Sequence, residues 1–240
     1  MSIIQAPRAA DTHGRTQRSA FVITIDGPAG AGKSTVAKLL ASRLGYLYLD
    51  TGALYRAVAW KVKQAGVAPD DAAGVERLLA TTRLDIRHPD GEGMRVSVDG
   101  CEVSEDLRAP DTSAMASVIS SLSTVRDWLL PVQRQIAKQG AVVADGRDLG
   151  TRVFPAADVK FFLEATPEVR AQRRYRELAA SGRSVSLKDT TQELAARDTR
   201  DRTREHAPLV PASDALTIDT SNLDVEHVLQ QMLAAVSAKL

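Results

Sequence analysis

Gly27-Pro28-Ala29-Gly30-Ala31-Gly32-Lys33-Ser34-Thr35 fits the spacing G-x-x-x-x-G-K-[ST] in full over its first eight residues. The flanks decide how it reads. Upstream, Phe21-Val22-Ile23-Thr24-Ile25 is short, apolar and β-branched, the composition of a buried strand. Downstream, Val36, Leu39, Leu40 and Leu44 recur at a helical period, and Gly45 ends the helix. In a strand–turn–helix unit, glycines let successive backbone N–H groups turn inward around phosphate oxygens. The helix that follows aims its N-terminus at the same anion. Lys33 adds a cation for the β- and γ-phosphates, and the Ser34 hydroxyl can ligate Mg²⁺. The stretch therefore predicts a nucleoside triphosphate and magnesium as ligands. Gly27, Pro28, Ala29, Gly30, Ala31, Gly32, Lys33, Ser34 and Thr35 form the ATP loop, and Ser34 is the expected metal ligand.

Outward from the loop, strands and helices alternate. Tyr46 to Leu49 reads as a second strand, followed by Asp50-Thr51-Gly52 and a helix over Ala53 to Gln64. Ala72 to Ala80 is a third helix. Leu84 to Val103 differs: Leu84-Asp85-Ile86-Arg87 and Met94 to Val98 alternate apolar and polar residues, with turn signals at Asp90-Gly91-Glu92-Gly93 and Asp99-Gly100. This predicts an antiparallel meander inserted in the parallel pattern. Helices follow at Ala114 to Ile119 and Val125 to Ala137, the second expected to kink at Pro131. Ala141 to Ala144 and Val159 to Leu163 read as buried strands, and Thr166-Pro167 as a cap and first turn. Leu187 to about Arg204 is a polar helix, Ala215 to Asp219 the last strand. Val225, Val228, Leu229, Met232, Leu233 and Val236 mark a closing amphipathic helix. The pattern predicts an α/β fold with a mostly parallel sheet covered by helices.

Composition narrows the function class. Across 240 residues, 31 basic side chains face 30 acidic ones, so the chain lacks the overall excess of a general nucleic-acid binder. Cys101 is the one cysteine, which excludes an internal disulfide and suits a reducing compartment. No apolar run is long enough to span a membrane. Residues 1–20 carry Arg8, Arg15 and Arg18 without an apolar core or an amphipathic pattern. They read as a disordered leader rather than a signal or transit peptide. Residues 21–240 then form one domain, expected to act as a cytoplasmic monomer without nucleic-acid or membrane partners.

Positive charge concentrates in the second half. Asp145-Gly146-Arg147-Asp148 follows a strand, where open parallel sheets bind ligands. Arg170, Arg173 and Arg174 share a helix face, as do Arg197, Asp201 and Arg204. Arg56 lies early in the second helix. Solvated faces laced with ion pairs would give the same spacings. Beside a phosphate loop, however, such arginines are the cations that phosphoryl transfer needs, and a guanidinium holds phosphate bidentately.

The chain resembles the bacterial cytidylate kinases of the nucleoside monophosphate kinase group. The matching stretches are Ile25 to Thr35, Leu49-Asp50-Thr51-Gly52-Ala53-Leu54-Tyr55-Arg56, Ala144-Asp145-Gly146-Arg147-Asp148-Leu149-Gly150-Thr151, Val153-Phe154-Pro155, Arg197-Asp198-x-x-Asp201-x-x-Arg204 and Ala207-Pro208-Leu209. The resemblance implies transfer of the ATP γ-phosphate to CMP or dCMP. It implies an antiparallel NMP-binding insert over about 84–110 and a short arginine-rich lid over about 170–188. It places Ser117, Arg126 and Asp148 at the cytosine, Arg197 and Asp201 at the ribose, and Arg56, Arg147 and Arg204 at the CMP phosphate. Thr51 stands where such enzymes often carry serine and completes the CMP set. Lys33, Arg147, Arg204 and Arg174 are the candidate catalytic cations. A kinase for another small acceptor shares the loop but not the later stretches. A GTP-dependent switch would call for Asn-Lys-x-Asp, which the chain lacks. An inactive nucleotide-binding module would bind ATP without turnover.

Overall fold

The computed structural model describes residues 20–89 and 93–239. The expected leader and the first three residues of the Asp90–Gly93 turn fall outside that range, apart from Ala20. In chain order the elements are β1 (Val22–Asp26), α1 (Lys33–Leu44), β2 (Leu47–Asp50), α2 (Thr51–Gln64), α3 (Ala72–Thr81), β3 (Leu84–Arg87), β4 (Arg95–Val98) and β5 (Cys101–Glu102). Then come α4 (Pro110–Ile119), α5 (Ser123–Ile136), β6 (Val142–Asp145), β7 (Val159–Glu164), α6 (Pro167–Ala180), α7 (Leu187–Thr203), β8 (Leu216–Asp219) and α8 (Val225–Ser237).

Five strands form one parallel sheet in the order β2-β6-β1-β7-β8. β1 is central and buried from Ile23 to Asp26, so its β-branched, mostly apolar sequence follows from cover on both faces. Ile23, Ile25, Phe161 and Leu163 pack with Leu40 of α1 and with Leu229 and Met232 of α8. Each of the five strands ends on an acid: Asp26, Asp50, Asp145, Glu164 and Asp219. The carboxyl edge, where ligands meet such sheets, is therefore charged before any loop is added.

The meander forms as expected. β3-β4-β5 is a separate antiparallel sheet with Leu84 opposite Val98 and Ile86 opposite Val96. Asp99 and Gly100 both take positive φ, 52° and 84°, as a two-residue hairpin turn demands. Val96 and Val98 bury against Ala53 and Ala57 of α2, which seats the sheet beside the main core. α5 runs unbroken through Pro131, which lies on its exposed face.

Candidate active site

The phosphate loop follows from backbone geometry. Gly27 takes φ 143°, and a Cβ there would stand 2.0 Å from the Leu163 carbonyl oxygen, so no other residue fits. Gly32 takes φ 89° and leaves the α1 N-terminus without a side-chain cap. Its N–H groups are thus left for an anion. Lys33 is buried and donates to the Pro28 carbonyl at 2.7 Å. Burial above all, then Arg147, holds its pKa well below the usual lysine range. Phosphate oxygens in the loop would reverse that by supplying the missing counter-charge.

Ser34 Oγ donates to Asp145 Oδ2 at 2.6 Å, and the Tyr48 hydroxyl donates to the other carboxylate oxygen at 2.8 Å. Burial and then Asp50 push the Asp145 pKa up. The pair offers two hard oxygen donors at the mouth of the loop, a set that suits Mg²⁺ with the rest of its shell from water and phosphate. Sequence reasoning had named Ser34 alone as metal ligand. Asp145 is brought to it by the parallel pairing of β1 with β6, which puts Ile25 opposite Asp145.

Across a cavity of about 900 Å³ lies a second charged cluster. Asp148 Oδ2 pairs with Arg126 Nη2, and Asp148 Oδ1 lies 3.5 Å from Arg204 Nη2. Asp201 Oδ2 pairs with Arg147 Nε at 3.1 Å and with Arg197 Nε at 4.0 Å, while Asp201 Oδ1 lies 3.7 Å from Arg204 Nη1. Two carboxylates thus order four arginines and leave positive charge in excess. Burial would raise the Asp201 pKa, but Arg147, Arg197 and Arg204 outweigh it and hold the carboxyl below its ordinary value. Burial, followed by repulsion from Arg147, lowers Arg197 to about 10. An incoming phosphate dianion would relieve that repulsion.

Other expected residues fall around the same cavity. Arg56 pairs with Asp50 at 2.8 Å, and Thr51 donates to the Asp145 carbonyl at 2.7 Å. Ala29 to Thr35 face the cavity, with Gly27 and Pro28 buried behind them. Ser117 is buried on α4 with no hydrogen-bond partner for its hydroxyl, while its neighbours Ser113, Ala116 and Ser120 reach the cavity wall.

The arginines of α6 do not form one free face. Arg170 is buried and donates to the carbonyls of Ala165 and Ala29 at 3.0 and 3.1 Å. Arg173 donates to Thr220 Oγ1 and to its carbonyl at 2.9 and 2.6 Å. Of these three, Arg174 faces the cavity with its ion pair among the described residues made inside its own helix, to Glu177 at 2.9 Å. Arg170 also pairs with Asp198 of α7, so its counter-charge, like the Thr220 partner of Arg173 in the β8–α8 loop, comes from outside α6.

Asp26 was not singled out in the sequence. Both its oxygens accept backbone N–H groups, from Leu149 at 2.9 Å and Gly150 at 2.8 Å. The last residue of β1 thereby fastens the segment after Arg147-Asp148 to the start of the phosphate loop. Burial is the main cause that pushes its carboxyl up to about 6, against the pull of the two backbone donors.

The sequence profile described as cytidylate kinase matches residues 23–238. The chain belongs to the cytidylate kinase family. Among curated cytidylate kinases, that of Geobacter sulfurreducens is 48% identical over 219 residues, covering 91% of this chain and 94% of that protein. That of Pelotomaculum thermopropionicum is 49% identical over 217 residues, covering 90% and 96%. The cytidylate kinase match thus runs through the phosphate loop, the inserted sheet and the arginine–aspartate cluster alike.

Proposed function

We propose that the chain transfers the γ-phosphoryl group of ATP to CMP and dCMP, giving the diphosphates, in pyrimidine nucleotide metabolism. One relationship supports this above others: the phosphate loop faces, across a single cavity, a cluster in which Asp148 and Asp201 order Arg126, Arg147, Arg197 and Arg204. A donor phosphate site and an acceptor phosphate site share one enclosure.

In this reading Gly27 to Thr35 hold ATP, and Lys33 neutralises charge on the moving phosphoryl group. Arg56, Arg147 and Arg204 grip the acceptor phosphate, Arg197 and Asp201 meet the ribose, and Ser117, Arg126 and Asp148 read the base. Thr51, bonded to the Asp145 carbonyl, keeps a hydroxyl in the CMP set. Ser34 and Asp145 would hold Mg²⁺, which when bound screens the phosphate charge. Arg174, pinned only to a neighbour one turn away, is the arginine most able to swing onto the transferred group. No covalent nucleophile is required, since catalysis by placement and charge suffices for a loose phosphoryl transition state. The inserted sheet over 84–110 serves as the NMP-binding part and 170–188 as the lid, with closure excluding water. The enzyme acts as a monomer in the cytoplasm. No helix among the described residues is long and apolar enough to cross a membrane.

The test is an acceptor panel with ATP and Mg²⁺, scored by ADP release. CMP and dCMP should turn over well, UMP poorly, and shikimate and nucleosides not at all. ADP release with one of the others and none with CMP or dCMP overturns the assignment.

A further inference from the structure

Gln133 interrupts the buried face of α5. That face carries Val125, Arg126, Leu129 and Gln133, with spacings of three and four residues. Arg126 has the Asp148 carboxylate to justify its burial, whereas Gln133 meets only the uncharged Tyr55 hydroxyl among the described residues. Gln133 is 1% exposed, and its amide oxygen has no hydrogen-bond partner among the described residues, the amide's one neighbouring polar group being the Tyr55 hydroxyl. A buried amide oxygen left unsatisfied destabilises the fold, so an aliphatic residue would serve the core better. Yet Gln133 borders the cavity that Tyr55, Arg126 and Asp148 also line.

Tyr55 links it to the base-reading pair. The Arg126 guanidinium sits 5.4 Å from the centre of the Tyr55 ring, and the ring's hydroxyl is turned toward Gln133. Burial raises the Tyr55 pKa further above neutrality, so it stays a phenol beside the amide. Gln133, Tyr55, Arg126 and Asp148 thus form one packed series ending in the cavity.

The exocyclic amino group of cytosine carries two hydrogens, and the base edge otherwise offers acceptors only. Asp148 can take one of those hydrogens, but its carboxylate is already shared between Arg126 and Arg204. A carboxamide oxygen without a partner, in the same enclosure, is an acceptor for the second. We propose that Gln133 is a further specificity residue, whose amide oxygen accepts from the 4-amino group of the acceptor base alongside Asp148. This rests on the assignment of CMP as acceptor.

Two measurements test it. With the wild-type enzyme, CMP is compared with N4-methyl-CMP, which keeps one amino hydrogen. A rise in KM of about tenfold is expected where a buried acceptor loses its donor, and a change below about twofold overturns the proposal. Next, Gln133→Met and Gln133→Glu are assayed with CMP and UMP. Gln133→Met should lower the CMP-to-UMP ratio of kcat/KM about tenfold with the KM of ATP unchanged. Gln133→Glu, which keeps an acceptor oxygen, should preserve that ratio. If Gln133→Met weakens both substrates equally, Gln133 is a packing residue only and the proposal falls. Absence of wild-type turnover with CMP would instead indict the acceptor assignment. The methylated substrate keeps the test decisive if a variant does not fold.

Discussion

Arg170 Nη2 lies 2.6 Å from Asp198 Oδ2, and the same guanidinium donates to the Ala29 carbonyl in the phosphate loop at 3.1 Å. One buried side chain therefore joins the ATP loop to α7, the helix that carries Arg197 and Asp201. In the proposed reading the donor and acceptor sites share a strut as well as a cavity. Arg170→Met leaves Asp198 without its partner, a loss of about 3–5 kcal/mol for a buried pair. Thermal unfolding should show a large drop in Tm. Adding Asp198→Leu should restore part of it, because no lone buried charge then remains. An unchanged Tm in Arg170→Met would mean that the strut carries no weight.

Lys33→Ala removes the cation proposed to act at the transferred phosphate while leaving the glycines of the loop in place. We expect kcat to fall by roughly a hundredfold or more, the usual loss for a preorganised electrostatic group. Steady-state kinetics with CMP checks this, and near-normal kcat contradicts the role given to the loop.

In the proposed reading Arg147, paired with Asp201 at 3.1 Å, meets the acceptor phosphate. Arg147→Ala should raise the KM of CMP about ten- to a hundredfold, the range for a charge-assisted hydrogen bond. The KM of ATP should change far less. Equal effects on both nucleotides would remove Arg147 from the acceptor site.

Ser34 and Asp145 make a short contact that a metal would share. Asp145→Asn keeps the shape and removes the charge, so the Mg²⁺ concentration for half-maximal rate should rise about tenfold, as for loss of a group that supports a bound ion. Titration of activity against Mg²⁺ at fixed free ATP reads this directly, and an unshifted curve excludes Asp145 from the metal site.

The phosphate loop, the parallel sheet and the inserted meander could be read from the chain because each rests on local signals. The glycines of the loop, the β-branched runs and the Asp99-Gly100 turn act within a few residues of one another. Two helices start before their apolar periodicity does: α2 begins at Thr51 because Asp50 accepts from the Ala53 N–H, and α4, which has no side-chain cap, begins at Pro110, a residue suited to the first turn. The arginines on α6 show where local reading stops. Spacing placed Arg170, Arg173 and Arg174 on one face but carried no information that Asp198 and Thr220 would meet two of them. Asp145 likewise reaches Ser34 only through the order of strands in the sheet.

Asp26 makes stability depend on pH in a direction opposite to that of an ordinary paired carboxylate. Its folded pKa of about 6 stands above the ordinary value of 3.8. The native state therefore binds this proton more tightly than the unfolded chain does. Its contribution to stability is full below about pH 4 and is lost as pH rises through about 6. Asp26→Asn cannot titrate, so it serves as the reference. The difference in Tm, wild type minus variant, should grow in favour of wild type as pH is lowered from about 7.5 to about 4. The remaining titrating groups contribute equally to both proteins and cancel in that difference. A difference that is flat, or that shrinks toward acid, would show that the two backbone donors from Leu149 and Gly150 outweigh burial, and that the carboxylate is held ionised across the whole range.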